Sequence, residues 1–361
     1  MKLLVIRFSA LGDVTMTHPV IRRAIELNPK VEIHFLTRKN FSFIMDSIPG
    51  VKVLGHEFDP GIRGFVQLVR ICFSLRMESY DAVVDLHGNL RSACIGWFLR
   101  MSGIPVFKID KGRKEKKKYI GTQPQSRMSL RHHYLRYADV FRAAGMNLPE
   151  EIESYETVRW PEDPVQEKEL DRLMDEHGWR GRPLIGLAAF ARHIWKEYPT
   201  EKSENLLKKI LDEADSESLI FLIGGGDREN QIMEQWQSLY PDRIKLLHAY
   251  MPLRLQVRFF SRLSVLMTMD SANLHLASLS GVPRIISVWG PTHADLGFGP
   301  SAGPRHTLVQ IDPVQLSCRP CSVFGNKECS RGDHACMHMI DEQIIADEIL
   351  NSVKGLSSGR S

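Results

Sequence analysis

The sequence predicts an α/β protein of two domains, each a parallel sheet covered by helices on both faces. Three observations carry this expectation. Short apolar runs alternate with amphipathic stretches from the first residues onward, the pattern of strand–helix units that build parallel sheets. The alternation weakens between Gly145 and Pro183 and then restarts. At 361 residues the chain is too long for one ordinary core and fits two domains of about 150 residues each.

Taken in order, Lys2–Arg7 reads as a buried strand, Val14–Leu27 as a helix and Val31–Leu36 as a second strand. Ile62–Met77 has helical spacing, with Phe65, Leu68, Val69, Cys72 and Phe73 on one face. Asp81–Leu86 and Ile104–Ile109 look like strands on either side of an apolar helix, Leu90–Met101. The acidic, proline-bearing stretch from Pro149 to Pro164 has the composition of a linker. Strands then follow at Leu184–Phe190, Leu219–Ile223, Ile244–His248, Val265–Met269 and Arg284–Trp289. Helices Thr200–Glu213, Arg228–Leu239, Leu253–Arg262 and Asn273–Ser280 alternate with them. The expected organisation is a first domain over 1–155, a linker over 156–182 and a second domain over 183–340. A terminal helix and a disordered tail fill 341–361.

Composition narrows the classes. The hydrophobic fraction of 43% and the charged fraction of 25% are those of a soluble globular protein. A net charge of +4 excludes a nucleic-acid polycation, so local basic patches matter more than the total. Arg7 interrupts the first apolar run after four residues, which argues against a signal peptide. No apolar run approaches the roughly 18 residues that span a bilayer. The expected location is therefore cytoplasmic.

Open α/β sheets bind ligands at the carboxyl ends of their strands, in loops that lead into helices. The first such loop, Ser9-Ala10-Leu11-Gly12-Asp13, is neither a G-x-G-x-x-G fingerprint nor a P-loop. Asp13 there suits a helix cap and equally a carboxylate that removes a proton from a hydroxyl. Gly224-Gly225-Gly226-Asp227-Arg228-Glu229 allows close backbone approach before a helix N-terminus that favours anions, and Glu229 also complements the helix dipole. In Asp270-Ser271-Ala272-Asn273-Leu274-His275, small residues leave room for phosphate oxygens over free N–H groups, one turn from His275. Lys196 supplies a cation after the strand that starts at Leu184.

These segments resemble the signatures of glycosyltransferase family 9, the ADP-heptose:lipopolysaccharide heptosyltransferases. The resemblance rests on Asp270-Ser271-Ala272-x-x-His275-Leu276-Ala277, on Gly281-x-Pro283 and on Gly290-Pro291-Thr292. Arg7-x-Ser9-Ala10-Leu11-Gly12-Asp13-Val14 and Asp85-Leu86-His87-Gly88-Asn89-Leu90-Arg91-Ser92 extend it toward the N-terminus. It implies a GT-B fold, two Rossmann-like domains whose parallel sheets face a central cleft. The first domain would hold the acceptor and the second the nucleotide-sugar donor. It further implies metal-independent, inverting transfer of heptose or a related sugar from an ADP-linked donor to a lipopolysaccharide-core or other lipid-linked acceptor. Asp13 falls on the family's general base and Lys196 on the lysine that neutralises the diphosphate. Glu229 matches a ribose contact and Met251 lies near the adenine pocket. Asp270 would hold sugar hydroxyls, while Ser271, Ala272 and His275 face the phosphates. The chain departs from the pattern in having Ala272 where Gly is usual, and no Ser or Thr in Ala188–Trp195 before Lys196.

Residues 108–118 carry seven Lys or Arg against two acidic residues, with Arg127, Arg131, His132 and His133 following. Such a run is a solvated loop, or a contact to an anionic glycolipid acceptor and the anionic inner leaflet. The acceptor contacts expected on the second reading are Lys114, Lys117 and Arg127, together with His87. That reading would make the protein peripheral on the inner face of the inner membrane. Cys318, Cys321, Cys329 and Cys336 follow C-x2-C-x7-C-x6-C, which in a reducing compartment suggests a structural zinc or iron site, or free thiols. No cofactor is expected for catalysis. Two other classes use parts of the same sequence. An epimerase-like nucleotide-sugar enzyme of GT-B fold needs the donor loops alone. A nucleic-acid-binding protein would use the basic run and the cysteines but leave the strand-end loops without a role.

Overall fold

The computed structural model describes residues 1–59, 61–300 and 305–357. By contact the chain forms two units. One is Met1–Arg113 with Arg131–Pro161, and the other is Lys114–Leu130 with Glu162–Ser361.

The first unit opens with β1 (Lys2–Ile6), α1 (Leu11–Leu27), β2 (Glu32–Arg38), α2 (Phe43–Asp46) and β3 (Val51–His56). It continues through α3 (Gly61–Arg76), β4 (Ala82–Asp85), α4 (Leu90–Met101) and β5 (Val106–Lys108). The basic run then forms α5 (Arg113–Gly121), and α6 (His133–Ala143) and α7 (Glu153–Glu156) complete this part of the chain. Five parallel strands lie in the order β3-β2-β1-β4-β5. Because β1 to β3 run one way and the chain then crosses to β4 and β5, the order reverses between β1 and β4. Leu3, Leu4, Val5 and Ile6 of the central strand are wholly buried, the near-continuous apolar run of a strand covered on both faces.

The second unit holds α8 (Pro164–Glu176), β6 (Leu184–Ala188), α9 (Thr200–Glu213), β7 (Leu219–Leu222), α10 (Asp227–Leu239) and β8 (Ile244–Leu246). After them come α11 (Leu247–Tyr250), α12 (Leu253–Phe259), β9 (Val265–Met269), α13 (Ala272–Ser280), β10 (Ile285–Trp289) and β11 (His306–Gln310). Finally α14 (Ala335–His338) precedes α15 (Glu342–Ser357). Six parallel strands lie in the order β11-β10-β9-β6-β7-β8, and the reversal falls between β6 and β9. Ile345, Ile349 and Val353 of α15 close the core beside Leu206, Leu207 and Ile210 of α9.

Several elements differ from the sequence reading. The stretch 156–182, expected as a linker, contains α8. Asp163 caps that helix by accepting from the Gln166 amide at 3.1 Å, and Pro164 sits in its first turn, where its missing N–H costs nothing. From Arg113 the basic run is helical, and Lys114–Leu130 belongs with the second unit, not with 1–155. Strands β3 and β11 and helix α6 are additional elements. The last residues expected as a disordered tail, 358–361, lie outside the described residues. Among the described residues, no helix is long and apolar enough to cross a membrane.

Gly186, in the middle of β6, shows how closely the second core is packed. A Cβ there would stand 2.6 Å from Leu266 Cδ1 and 2.7 Å from Leu263 Cδ1. Gly186→Val is therefore expected to lower unfolding stability by about 1–3 kcal/mol through overpacking, read as a lower denaturant midpoint at an unchanged slope.

Candidate functional site

Each unit gathers its polar residues where its own strand order reverses. In the first unit the loop after β1 and the loop after β4 meet. Arg7, buried at the end of β1, donates through Nη1 to the Leu86 carbonyl at 2.6 Å and pairs through Nη2 with Asp13 Oδ1 at 2.7 Å. Burial opposes the charge on Arg7, yet Tyr137 and the Asp13 carboxylate together hold its pKa above the ordinary value. Asp13 also accepts the Ala10 amide through Oδ2 at 3.1 Å. It therefore caps α1 while its side chain remains 34% exposed, so the cap and an accessible carboxylate coexist in one residue.

Asp85, at the end of β4, is fully committed. Its Oδ1 accepts the amides of His87 and Gly88 at 2.9 and 2.8 Å, and its Oδ2 accepts Ser92 Oγ at 2.9 Å. That turn presents His87 beside Phe8, whose amide donates to Nδ1 at 3.3 Å. Nδ1 being an acceptor, the neutral ring carries its proton on Nε2. Burial, then Arg7 and Lys111, push the His87 pKa down to about 3. Lys111 is lowered in turn by burial and by Arg7 and Arg113.

In the second unit the corresponding loops follow β6 and β9. Lys196 closes a single 3-10 turn, Ile194–Lys196. Its Nζ lies 2.9 Å from Asp270 Oδ2, with the two side chains 14% and 11% exposed. Thr292, beyond β10, donates to the same oxygen at 2.7 Å. Ser271 occupies the cap of α13, but its hydroxyl makes no capping bond and instead lies 3.4 Å from Thr268 Oγ1. Leu274 donates its amide to the Ser271 carbonyl at 3.2 Å, the amides before it at the start of α13 have no intrahelical acceptor, and His275 sits half-buried one turn along.

The glycine loop before α10 divides its tasks. A Cβ on Gly224 would stand 2.9 Å from Glu229 Oε2, Gly225 faces open space, and Gly226 takes φ +136. Glu229 accepts the Gly225 amide at 2.8 Å, and burial raises its pKa. Met251 is buried after α11, its carbonyl accepting from Gln256 Nε2 at 2.9 Å.

The basic segment is not a uniform solvated surface. Lys116 is buried, with Nζ 4.1 Å from the centre of the Phe298 ring, while Lys114 and Lys117 are exposed. Arg127 donates through Nη1 to the Arg319 carbonyl at 2.5 Å and through Nε to the Thr122 carbonyl at 3.0 Å. Its guanidinium therefore fastens the segment to its own unit.

Arg319, fully buried, was not apparent in the sequence. It donates to the carbonyls of Gly290 (2.6 Å), Thr292 (3.1 Å) and Ile311, and to Gln310 Oε1 (3.0 Å). It thereby holds the loop that carries Thr292. Gly325 was also missed. At φ +66, its absent Cβ leaves room for Lys196, whose Cγ would stand only 2.2 Å away. A lone glycine 129 positions from the lysine has no sequence signal that ties the two together.

Cys318, Cys321, Cys329 and Cys336 are free thiols close enough to influence one another. Burial raises Cys336 to about 12. Among the described residues, no group of three or more His, Cys, Asp and Glu side chains is arranged to hold a metal.

Two parallel-sheet α/β units have the architecture of the GT-B fold. The family described as glycosyltransferase family 9 (heptosyltransferase) matches residues 68–328, and the chain belongs to it. A lipopolysaccharide heptosyltransferase 1 from Campylobacter coli is 30% identical over 99 residues, 27% of this chain and 29% of that protein. The chain thus aligns with less than a third of that relative's length. Among solved structures, a family 9 glycosyl transferase from Veillonella parvula superposes with a TM-score of 0.72 at 16% identity, over 98% of this chain and 97% of that one. The ADP-heptose lps heptosyltransferase II of E. coli gives a TM-score of 0.69 at 18% identity, over 99% and 100%. These two structures are similar in fold.

The depressed His87 pKa has a measurable sign. The unfolded chain takes up a proton below about 6.5, which folded His87 refuses until about 3. This residue's contribution to stability should therefore shrink as pH falls through that window. In a histidine-resolved NMR titration, the His87 ring signals are expected to stay constant from pH 8 down to about 5. A midpoint near 6.5 would contradict the burial.

Proposed function

We propose that this glycosyltransferase moves a heptose, or a related sugar, from an ADP-linked donor to a lipopolysaccharide-core or other lipid-linked acceptor, with inversion. The observation that carries the reading is the group of half-buried Lys196 with buried Asp270 and Thr292, beside the start of α13, which has no side-chain cap. A cation and free helix amides together suit a diphosphate, and the fixed carboxylate suits sugar hydroxyls. The ADP linkage is supported by the fold shared with the ADP-heptose lps heptosyltransferase II of E. coli.

On this reading the second unit binds the donor. Glu229 meets the ribose, Met251 the adenine, and Ser271, Ala272 and His275 the phosphates. The first unit binds the acceptor, with His87 beside it; Lys114, Lys117 and Arg127, which belong with the second unit, answer anionic groups of the acceptor on this reading. Asp13 takes the proton of the acceptor hydroxyl, oriented by Arg7. The freed oxygen attacks the anomeric carbon, and the bond from that carbon to the diphosphate oxygen breaks. The electron pair leaves on ADP, where Lys196 and the α13 amides meet the growing charge. No step uses a metal, a cofactor or the cysteines. A lipid-linked acceptor places the reaction at the cytoplasmic surface of the inner membrane.

Incubation with ADP-heptose should release ADP only when the acceptor is present. Asp13→Asn is expected to lower turnover by about 100-fold or more while leaving ADP affinity within about twofold, because the base acts after binding. Lys196→Ala should weaken ADP binding by about tenfold or more. Gly325→Ala is expected to do the same in part, by displacing the lysine. Titration calorimetry with ADP separates these effects, and an unchanged dissociation constant for Lys196→Ala would sink the donor assignment.

A further inference from the structure

Helix α3 has two apolar faces, and only one is covered. Leu68, Ile71, Cys72 and Leu75 point into the core of the first unit. Ile62, Phe65, Val69 and Phe73 recur at helical spacing on the other side, and are 84%, 65%, 38% and 55% exposed. Helix α4 packs against α3 and adds Trp97 and Met101, 65% and 70% exposed. Phe73 meets Phe98 of α4 edge-on, with ring centroids 5.2 Å apart, so the two exposed faces join. A water-soluble surface seldom leaves so continuous an apolar patch uncovered unless something docks on it.

The charges say what docks. Helix α3 carries three arginines and α4 two, and neither carries an Asp or Glu. Arg63, Arg70, Arg76 and Arg100 are exposed; helical spacing sets Arg63 and Arg70 beside the apolar stripe and Arg76 at its end, while Arg100 lies next to Met101 with its Nη2 donating to the Val106 carbonyl at 3.0 Å. Glu78, just past α3, is neutralised by Lys2 and Lys52. A second copy meeting this face would set arginine against arginine, with no carboxylate on either helix to answer them. A bilayer with anionic headgroups complements both features, offering phosphates to the rim and the acyl boundary to the aromatic side chains.

We infer that the α3–α4 face of the first unit docks on an anionic phospholipid bilayer, Phe65, Phe73 and Trp97 entering it and the arginines holding its phosphates. This deepens the proposed function and rests on it only where a lipid-linked acceptor is assumed; the surface itself owes nothing to donor chemistry. It also places membrane contact on α3 and α4 instead of on the lysine run, where Lys116 is buried.

The full chain should float with phosphatidylcholine vesicles that contain phosphatidylglycerol, and raised salt should release it. Phe65→Glu combined with Trp97→Glu is expected to lower partitioning by about tenfold or more, with the thermal midpoint and the ADP-induced shift unchanged. Arg70→Gln with Arg100→Gln is expected to cost about fivefold per charge on these vesicles and nothing on pure phosphatidylcholine. Wild-type protein that ignores anionic vesicles, or a double-glutamate variant that binds them normally, overturns the inference. A concentration-dependent dimer abolished by the same two glutamates also overturns it, because the face would then join two copies. Failure of the transferase reading appears separately, as no ADP release from ADP-heptose with a delipidated, water-soluble acceptor.

Discussion

Parallel pairing is the constraint from which both sites follow. In a parallel sheet all strands end at the same edge, so every loop entering a helix opens there. Where neighbouring strands send their chains in opposite directions, two such loops part and leave a crevice. Between β1 and β4 that geometry brings Arg7 and Asp13 to the turn that carries His87. Between β6 and β9 it brings Lys196 to Asp270. Lys196 and Asp270 lie 74 positions apart in the chain, yet their strands are hydrogen-bonded neighbours in register, Ala188 opposite Thr268. The same topological rule acts twice, once in each unit.

What the sequence revealed follows from the same cause. Central strands such as Leu3–Ile6 and Val265–Met269 are buried on both faces, so they stand out as unbroken apolar runs. The loops that end them are short, so Asp13, Lys196, Glu229 and Asp270 could be placed near strand ends from order, while the roles expected of them came from the family resemblance. Edge strands were harder to read. Every residue of β3 retains some exposure, and β11 buries only Val309, so neither shows the signature of a central strand. The helix α8 was hidden by its own start signal, since Asp163-Pro164 marks a break in one context and a capped first turn in another.

Long-range packing set the remaining differences. The Lys108–Lys118 run read as a solvated loop or an anion contact because charge dominates its composition. A lysine stem is apolar, however, and the ammonium of Lys116 finds the face of Phe298, 182 positions away. Arg319 is a stronger case. Nothing near it in sequence marks a fully buried guanidinium, and its acceptors are carbonyls scattered over Gly290–Ile311. Burial lowers its pKa to about 10, while the neighbouring thiols act in the opposite direction. Such a residue is legible only once the loops have been brought together around it.

The Lys196–Asp270 pair is informative because stability does not explain it. Taking two charges out of water costs several kcal/mol per ion, and mutual attraction only roughly offsets that cost. Leucine and methionine of similar volume would serve the core as well or better. Two more features point the same way. Thr292 spends its only hydroxyl proton on the carboxylate oxygen that already meets the lysine, and Gly325 accepts left-handed backbone so that the lysine stem has somewhere to lie. Four residues from separated loops thus hold one ammonium and one carboxylate in fixed positions at a strand end. Fixed charge of this kind is useful when a ligand of complementary charge arrives, because the reorganisation has been completed during folding.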